Sequence, residues 1–182
     1  DMVDPNDHVG YIRITNFQKT TSLEVDHALV NLNRQGMRSL IIDLRRNPGG
    51  LLDAAVEVAD RFLRQGAIVT TRGRNGNENR SYVARDPMTW DTPLVVLIDK
   101  DSASASEIFA GAIRDHHRGT LVGTTSYGKG SVQGLFHTDT AGGGLRLTVS
   151  KFFSPLGHPI SYVGVEPDIR VEPSTTSSFA SN

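Results

Sequence analysis

The stretch Asp101-Ser102-Ala103-Ser104-Ala105-Ser106-Glu107 places three hydroxyls at alternate positions just past the apolar run Leu94-Val95-Val96-Leu97-Ile98-Asp99. Two readings of it stand side by side. Ser and Asp cap helices, and a serine followed three residues on by glutamate is a capping box. A serine on the first turn of a helix also presents its hydroxyl beside N–H groups that face the same space, which suits attack on a carbonyl. A nucleophilic serine needs a base. The histidines, at 8, 27, 116, 117, 137 and 158, show no partner pattern, whereas Lys129 lies between Gly128 and Gly130. Ser–Lys pairs are an alternative to Ser–His. A lysine base has to be neutral, which burial or a neighbouring positive charge favours, so Lys129 is expected to be a buried base.

The surroundings of Lys129 also allow a different chemistry. Gly123, Gly128 and Lys129 have the spacing of a phosphate-binding loop, G-x-x-x-x-G-K-[ST], but Gly130 stands where the magnesium-binding hydroxyl belongs. Such a loop opens a helix, and Ser131-Val132-Gln133-Gly134-Leu135 is poor helix material, so nucleotide binding is disfavoured. A third segment, Asn47-Pro48-Gly49-Gly50, is either a flexible bend or a bare backbone that lets a carbonyl substrate approach. In the second case a glycine N–H, with the N–H that follows the serine, can donate to a developing oxyanion.

These segments need a scaffold, and the periodicity supplies one. Val9 to Thr15 alternates as a strand, Leu23 to Gln35 carries a helical apolar face closed by Gly36, and Ser39 to Leu44 is a short buried-strand run. Leu51 to Leu63 is a second amphipathic helix. After a polar segment from Arg72 to Arg80, Leu94 to Asp99 reads as a central strand covered on both faces. Ser104 to His116 follows as a helix, and Thr120 to Gly123 as a strand. Repeated strand–helix–strand units argue for an α/β domain with parallel strands. From Leu135 onward the pattern turns to strands, with Leu145 to Phe153 alternating and Val163 to Ile169 ending the ordered part. Residues 1–8 are expected to be a leader, 9–172 one core, and 173–182 a disordered tail.

Composition narrows the field. The chain has 182 residues and a formal charge of −1, with no long run of either sign, so no nucleic-acid partner is indicated. No cysteine is present, which removes disulfides, thiolate nucleophiles and cysteine-ligated metal centres. No stretch is apolar enough for a membrane span, and neither a metal nor a cofactor is called for.

Taken in order, GYIRITNF (10–17), IIDLRRNPGGLL (41–52), VVLIDKDSASASEIFAGAIRD (95–115), VGTTSYGKGSVQ (122–133), LRLTVSKFFSPLGHPI (145–160) and GVEPDI (164–169) resemble the tail-specific, or C-terminal-processing, serine proteases. The resemblance covers the chain from about Val9 to Val171. It implies a ClpP/crotonase-like α/β core with a β-rich C-terminal part, and a serine endopeptidase acting near the C-terminal tails of proteins. It puts the nucleophile on Ser104, the general base on Lys129 and a supporting glutamine on Gln133. It puts the oxyanion donors on Ala105 and on Gly49 or Gly50, and a structural role on Asp115. Substrate is expected to bind as an added strand, and an oligomer stays open. Relatives of this kind carry a PDZ domain ahead of the GYIRI strand, where eight residues precede Val9, so the chain is expected to be a catalytic core alone. They act outside the cytoplasm, in periplasm, envelope or plastid lumen. The other reading kept is a non-catalytic peptide-binding module on the same fold.

Overall fold

The computed structural model describes residues 1–172 apart from 5, 75, 78 and 138–142. Along the chain run β1 (Met2–Asp4), β2 (Val9–Arg13), α1 (Thr21–Arg34), β3 (Ser39–Asp43), α2 (Leu52–Asp60), β4 (Ala67–Gly73), β5 (Arg80–Val83) and β6 (Leu94–Ile98). They are followed by α3 (Ala105–Asp115), β7 (Thr120–Gly123), β8 (Ser131–His137), β9 (Gly144–Phe153) and β10 (Ile169–Arg170). The strands form a six-stranded sheet, β1-β2-β3-β6-β7-β10, and a four-stranded sheet, β5-β4-β9-β8. In the first sheet every neighbouring pair is parallel except β1 with β2. The second is antiparallel throughout.

The strand order explains where the core sits. From β2 through β3 and β6 to β7 the chain advances across the sheet in one direction, so right-handed crossovers put the three helices on one face. Leu40, Ile42, Val96, Ile98 and Leu121 meet Leu29, Val58, Phe62, Phe109 and Ile113 there in one buried cluster. The Phe62 and Phe109 rings pack edge to face, 6.0 Å apart at 84°. Alternate strand residues point the other way, and in register they share the second face: Tyr11, Ile41, Val95, Leu97 and Val122, all half-buried. The expectation that Leu94 to Asp99 is covered on both faces therefore fails. A singly wound sheet sends all its helices to one side, and β6 alternates between buried and half-buried residues.

One other expectation changes. Residues 1–8 are more than a leader: β1 pairs with β2, and the Asp1 amino group donates to Tyr11 O at 2.9 Å. The polar segment Arg72 to Arg80 joins β4 to β5, and β4 pairs with β9 through Thr70↔Phe153 to Gly73↔Ser150. The C-terminal strands are thus bound to a hairpin from the middle of the chain, which lies against α2 and α3. The expected tail, 173–182, falls outside the described residues.

Candidate active site

Three segments converge at the C-terminal edge of the parallel sheet, where α/β folds place their ligands. The serines sort themselves by what they bond. Ser102 Oγ donates to Leu44 O at 2.8 Å and Ser106 Oγ to Asn47 O at 3.0 Å, both fully buried. These two are braces between α3 and the loop after β3. Ser104 between them is half-buried and immediately precedes α3, with φ 55° and ψ −113°. A non-glycine residue in that region is strained, and such strain concentrates at functional sites.

Asn47 holds the glycine loop against this turn. Its Nδ2 donates to Ile14 O at 2.8 Å, its Oδ1 accepts from the Gly49 N–H at 2.8 Å, and its carbonyl accepts from the Ala103 N–H at 2.9 Å. Gly49 is pressed so closely on the turn that a Cβ there would lie 2.8 Å from Ser104 Cβ and 2.9 Å from Ala105 N. Its own N–H is already taken. Among the described residues, the N–H groups of Gly50 and Ala105 have no acceptor.

Lys129 arrives on the loop from Thr124 to Gly130, and Glu107 ties that loop to α3. Glu107 Oε1 accepts from Ser126 Oγ at 2.5 Å and from the Gly128 N–H at 2.6 Å. Oε2 accepts from the Lys129 N–H and from the Ser104 N–H, each at 2.8 Å. Gly130 is no damaged phosphate site: a Cβ there would lie 2.3 Å from Ser161 N, and a strand, not a helix, follows it. The loop is shaped to seat the 160–164 segment, with Tyr162 N–H donating to Gly128 O at 2.9 Å and Ser161 Oγ to Gly130 O at 2.8 Å.

Lys129 departs from its expected burial. It is exposed, and among the described residues no hydrogen bond joins its amine to Ser104 Oγ or to Gln133, itself exposed on β8. The reason is position: Lys129 stands just before β8, which is the edge strand of its sheet among the described residues. Backbone placement brings Ser104 and Lys129 near each other, since both N–H groups donate to Glu107 Oε2.

Asp115 sits at the opposite end of α3 from Ser104. Its Oδ2 accepts from the Leu156 N–H at 3.0 Å and its Oδ1 pairs with Arg114 at 3.1 Å, so it pins the turn after β9. Burial works against its ionised form, but the Ser154 hydroxyl, the Leu156 N–H and Arg114 outweigh that and hold it below the ordinary carboxylate range. Asp43 behaves alike: burial opposes ionisation, while Arg45, at 2.7 Å, and the Tyr11 hydroxyl, also at 2.7 Å, overcome it. Depressed folded values stabilise the fold above the unfolded carboxylate pKa of about 4, and the contribution is lost as pH falls through the folded value. Thermal midpoints measured from about pH 6 to about pH 2 should therefore drop below about pH 4, and less steeply for Asp115→Asn than for the parent.

The comparisons with known proteins meet this geometry. The model of peptidase family S41 matches residues 8–171. The chain belongs to peptidase family S41. A carboxyl-terminal-processing protease of Synechocystis sp. is 45% identical over 168 residues, 92% of this chain and 39% of that protein. The chloroplastic C-terminal processing peptidase of Tetradesmus obliquus is 34% identical over 91% of this chain and 35% of its own length. Among solved structures, a photosystem II D1 C-terminal processing protease superposes with a TM-score of 0.84 at 36% identity, covering 91% of this chain and 43% of that one. Mature CPAF, in a complex with lactacystin, shares the fold at 17% identity and a TM-score of 0.73, covering 89% of this chain and 47% of its own. This S41 chain thus spans about two-fifths of the length of the Synechocystis and Tetradesmus relatives. The α/β architecture expected from the sequence is the family's. Glu107 and Asn47 were not singled out from sequence; the only signal for Glu107 was its place three residues after Ser104, which also marks a helix cap.

Proposed function

We propose that this chain is the catalytic core of a serine endopeptidase that cleaves proteins near their C-terminal tails. The observation that carries it is the strained Ser104 at the start of α3, with the amide of Lys129 on the same carboxylate oxygen and two free N–H groups beside it. In this reading Ser104 is the nucleophile and Lys129 the general base. Neutral Lys129 Nζ takes the Ser104 Oγ proton as Oγ bonds to the scissile carbonyl carbon. The oxyanion accepts from the Ala105 N–H and the Gly50 N–H, Gly49 serving as the close contact that keeps the two aligned. The lysine ammonium then protonates the leaving amine as the C–N bond breaks, and water hydrolyses the Ser104 ester. Gln133 steadies the lysine amine, and Asp115 supports the helix from its far end.

The free edge of β8 begins two residues after Lys129, so a peptide added there as a strand would cover the lysine and favour its neutral form. Relatives named chloroplastic support a site of action outside the cytoplasm, and no helix among the described residues is long and apolar enough to cross a membrane. The exposure of Lys129, whose amine bonds to neither Ser104 Oγ nor Gln133 among the described residues, favours a second reading, a peptide-binding module without catalysis.

A serine-acylating reagent separates the two. The enzyme should be labelled at Ser104, with labelling lost in Lys129→Ala; a protein that binds peptide but resists labelling is the binding module.

A further inference from the structure

We propose that Glu107 is a positioning residue for the cleavage step, its buried carboxylate setting the distance between the turn that bears the nucleophile and the loop that bears the base. The inference rests on the nucleophile and base roles of Ser104 and Lys129. A helix cap needs only the bond to the Ser104 N–H. The other three, from Ser126 Oγ, Gly128 N and Lys129 N, come from a separate loop on the far side of β7.

The bonding is complete and specific. Glu107 has no exposed surface, and a carboxylate offers about four lone-pair sites, here met by four donors. All four donors are neutral groups, three backbone amides and one hydroxyl. A fully buried carboxyl group among neutral donors is costly unless each bond is well made, so this arrangement persists only with the loop in one place. Because Oε2 alone accepts from both Ser104 N and Lys129 N, the two backbone nitrogens cannot lie further apart than two hydrogen-bond lengths. Ser126 extends the brace, since its Oγ also accepts from the Val165 N–H at 2.7 Å.

Glutamine at this position has nearly the same shape but turns one oxygen into an NH2 group. Turned one way, its NH2 group faces the Ser104 and Lys129 N–H donors; turned the other, it faces the Gly128 N–H while the Ser126 hydroxyl can rotate to accept, so at least one donor is opposed by a donor either way. A displacement of about 1 Å at a reacting pair costs on the order of 100-fold in rate. Glu107→Gln is therefore expected to lower kcat about 100-fold while KM changes less than about threefold, and to slow acylation of Ser104 by a small reagent in parallel. A purely structural carboxylate would lower the melting temperature and leave kcat per folded molecule intact. Asp26→Asn, which weakens a remote ion pair to Arg61, is the control for that behaviour.

If Glu107→Gln does not fold, Ser126→Ala replaces it, removing one donor and leaving three; its kcat should fall severalfold at unchanged KM. Normal kcat and normal acylation in either folded variant would overturn the role of Glu107. Cleavage that survives Ser104→Ala would instead sink the underlying enzyme assignment, whatever Glu107 does.

Discussion

Ser104→Gly is expected to leave no detectable peptide cleavage and to raise the melting temperature by about 2–4 °C. The two effects share one origin. Ser104 holds φ 55° and ψ −113°, a combination that costs a side-chain-bearing residue on the order of 1–3 kcal/mol. Glycine adopts it without the Cβ clash, though it loses about 0.5–1 kcal/mol more backbone entropy on folding, which leaves a net gain near 1 kcal/mol. For a domain of this size that gain converts to the stated few degrees. Ser104→Ala keeps the strain, so it should match glycine in lost activity, by about 10⁴-fold or more, and show no such gain in stability. Calorimetry on the two variants beside a cleavage assay checks both. A Ser104→Gly protein less stable than Ser104→Ala would show that the turn is not strained in the native protein.

The parts of the fold that sequence reveals are those with local causes. Leu23 to Gln35 and Ser104 to His116 carry apolar residues at helical spacing, and both helices form within two residues of the expected ends. The segment Ser39 to Leu44, apolar and short, is β3 at the centre of the sheet. Pairings between distant segments have no such local mark: nothing in Ala67 to Gly73 indicates that it must lie against Phe153 to Ser150. The same holds for the open second face of the parallel sheet, which follows from strand order and not from the composition of β6.

At the site the legible residues were those whose types are unusual for a plain scaffold. Three serines among alanines exceed what a cap requires, and the structure spends Ser102 and Ser106 on backbone carbonyls, leaving Ser104 half-exposed. Glu107 and Asn47 were hidden because their types are ordinary in a first helical turn and in a bend. Their importance lies in partners 33 residues back for Asn47, at Ile14, and 22 residues on for Glu107, at Lys129. The exposure of Lys129 was equally out of reach, since it depends on β8 being an edge strand.

Gly49→Ala is the second large effect, and it tests whether the glycine loop shapes the turn at Ser104, the proposed nucleophile. The position has φ +103°, and a methyl group there would stand 2.6 Å from Ala103 O, 2.8 Å from Ser104 Cβ and 2.9 Å from Ala105 N. Two of those atoms are backbone and the third is Ser104 Cβ, so none can swing aside as a flexible side chain would. Relief requires separating the Asn47–Gly50 loop from α3, which breaks the bonds from Ala103 N and Ser106 Oγ to Asn47 O. Strain and overpacking of this kind cost about 2–5 kcal/mol together. Shifting an oxyanion donor away from the serine costs a further 10²–10³-fold in kcat, on the order of what loss of one donor does elsewhere. Gly36→Ala isolates the backbone part, because φ there is +84° while the nearest atom to an added Cβ, His8 Nδ1, is at an ordinary 3.5 Å. Urea midpoints should therefore fall for both variants and further for Gly49→Ala, with kcat per folded molecule reduced in Gly49→Ala alone. Equal kcat in the two would mean that the loop does not shape the Ser104 turn.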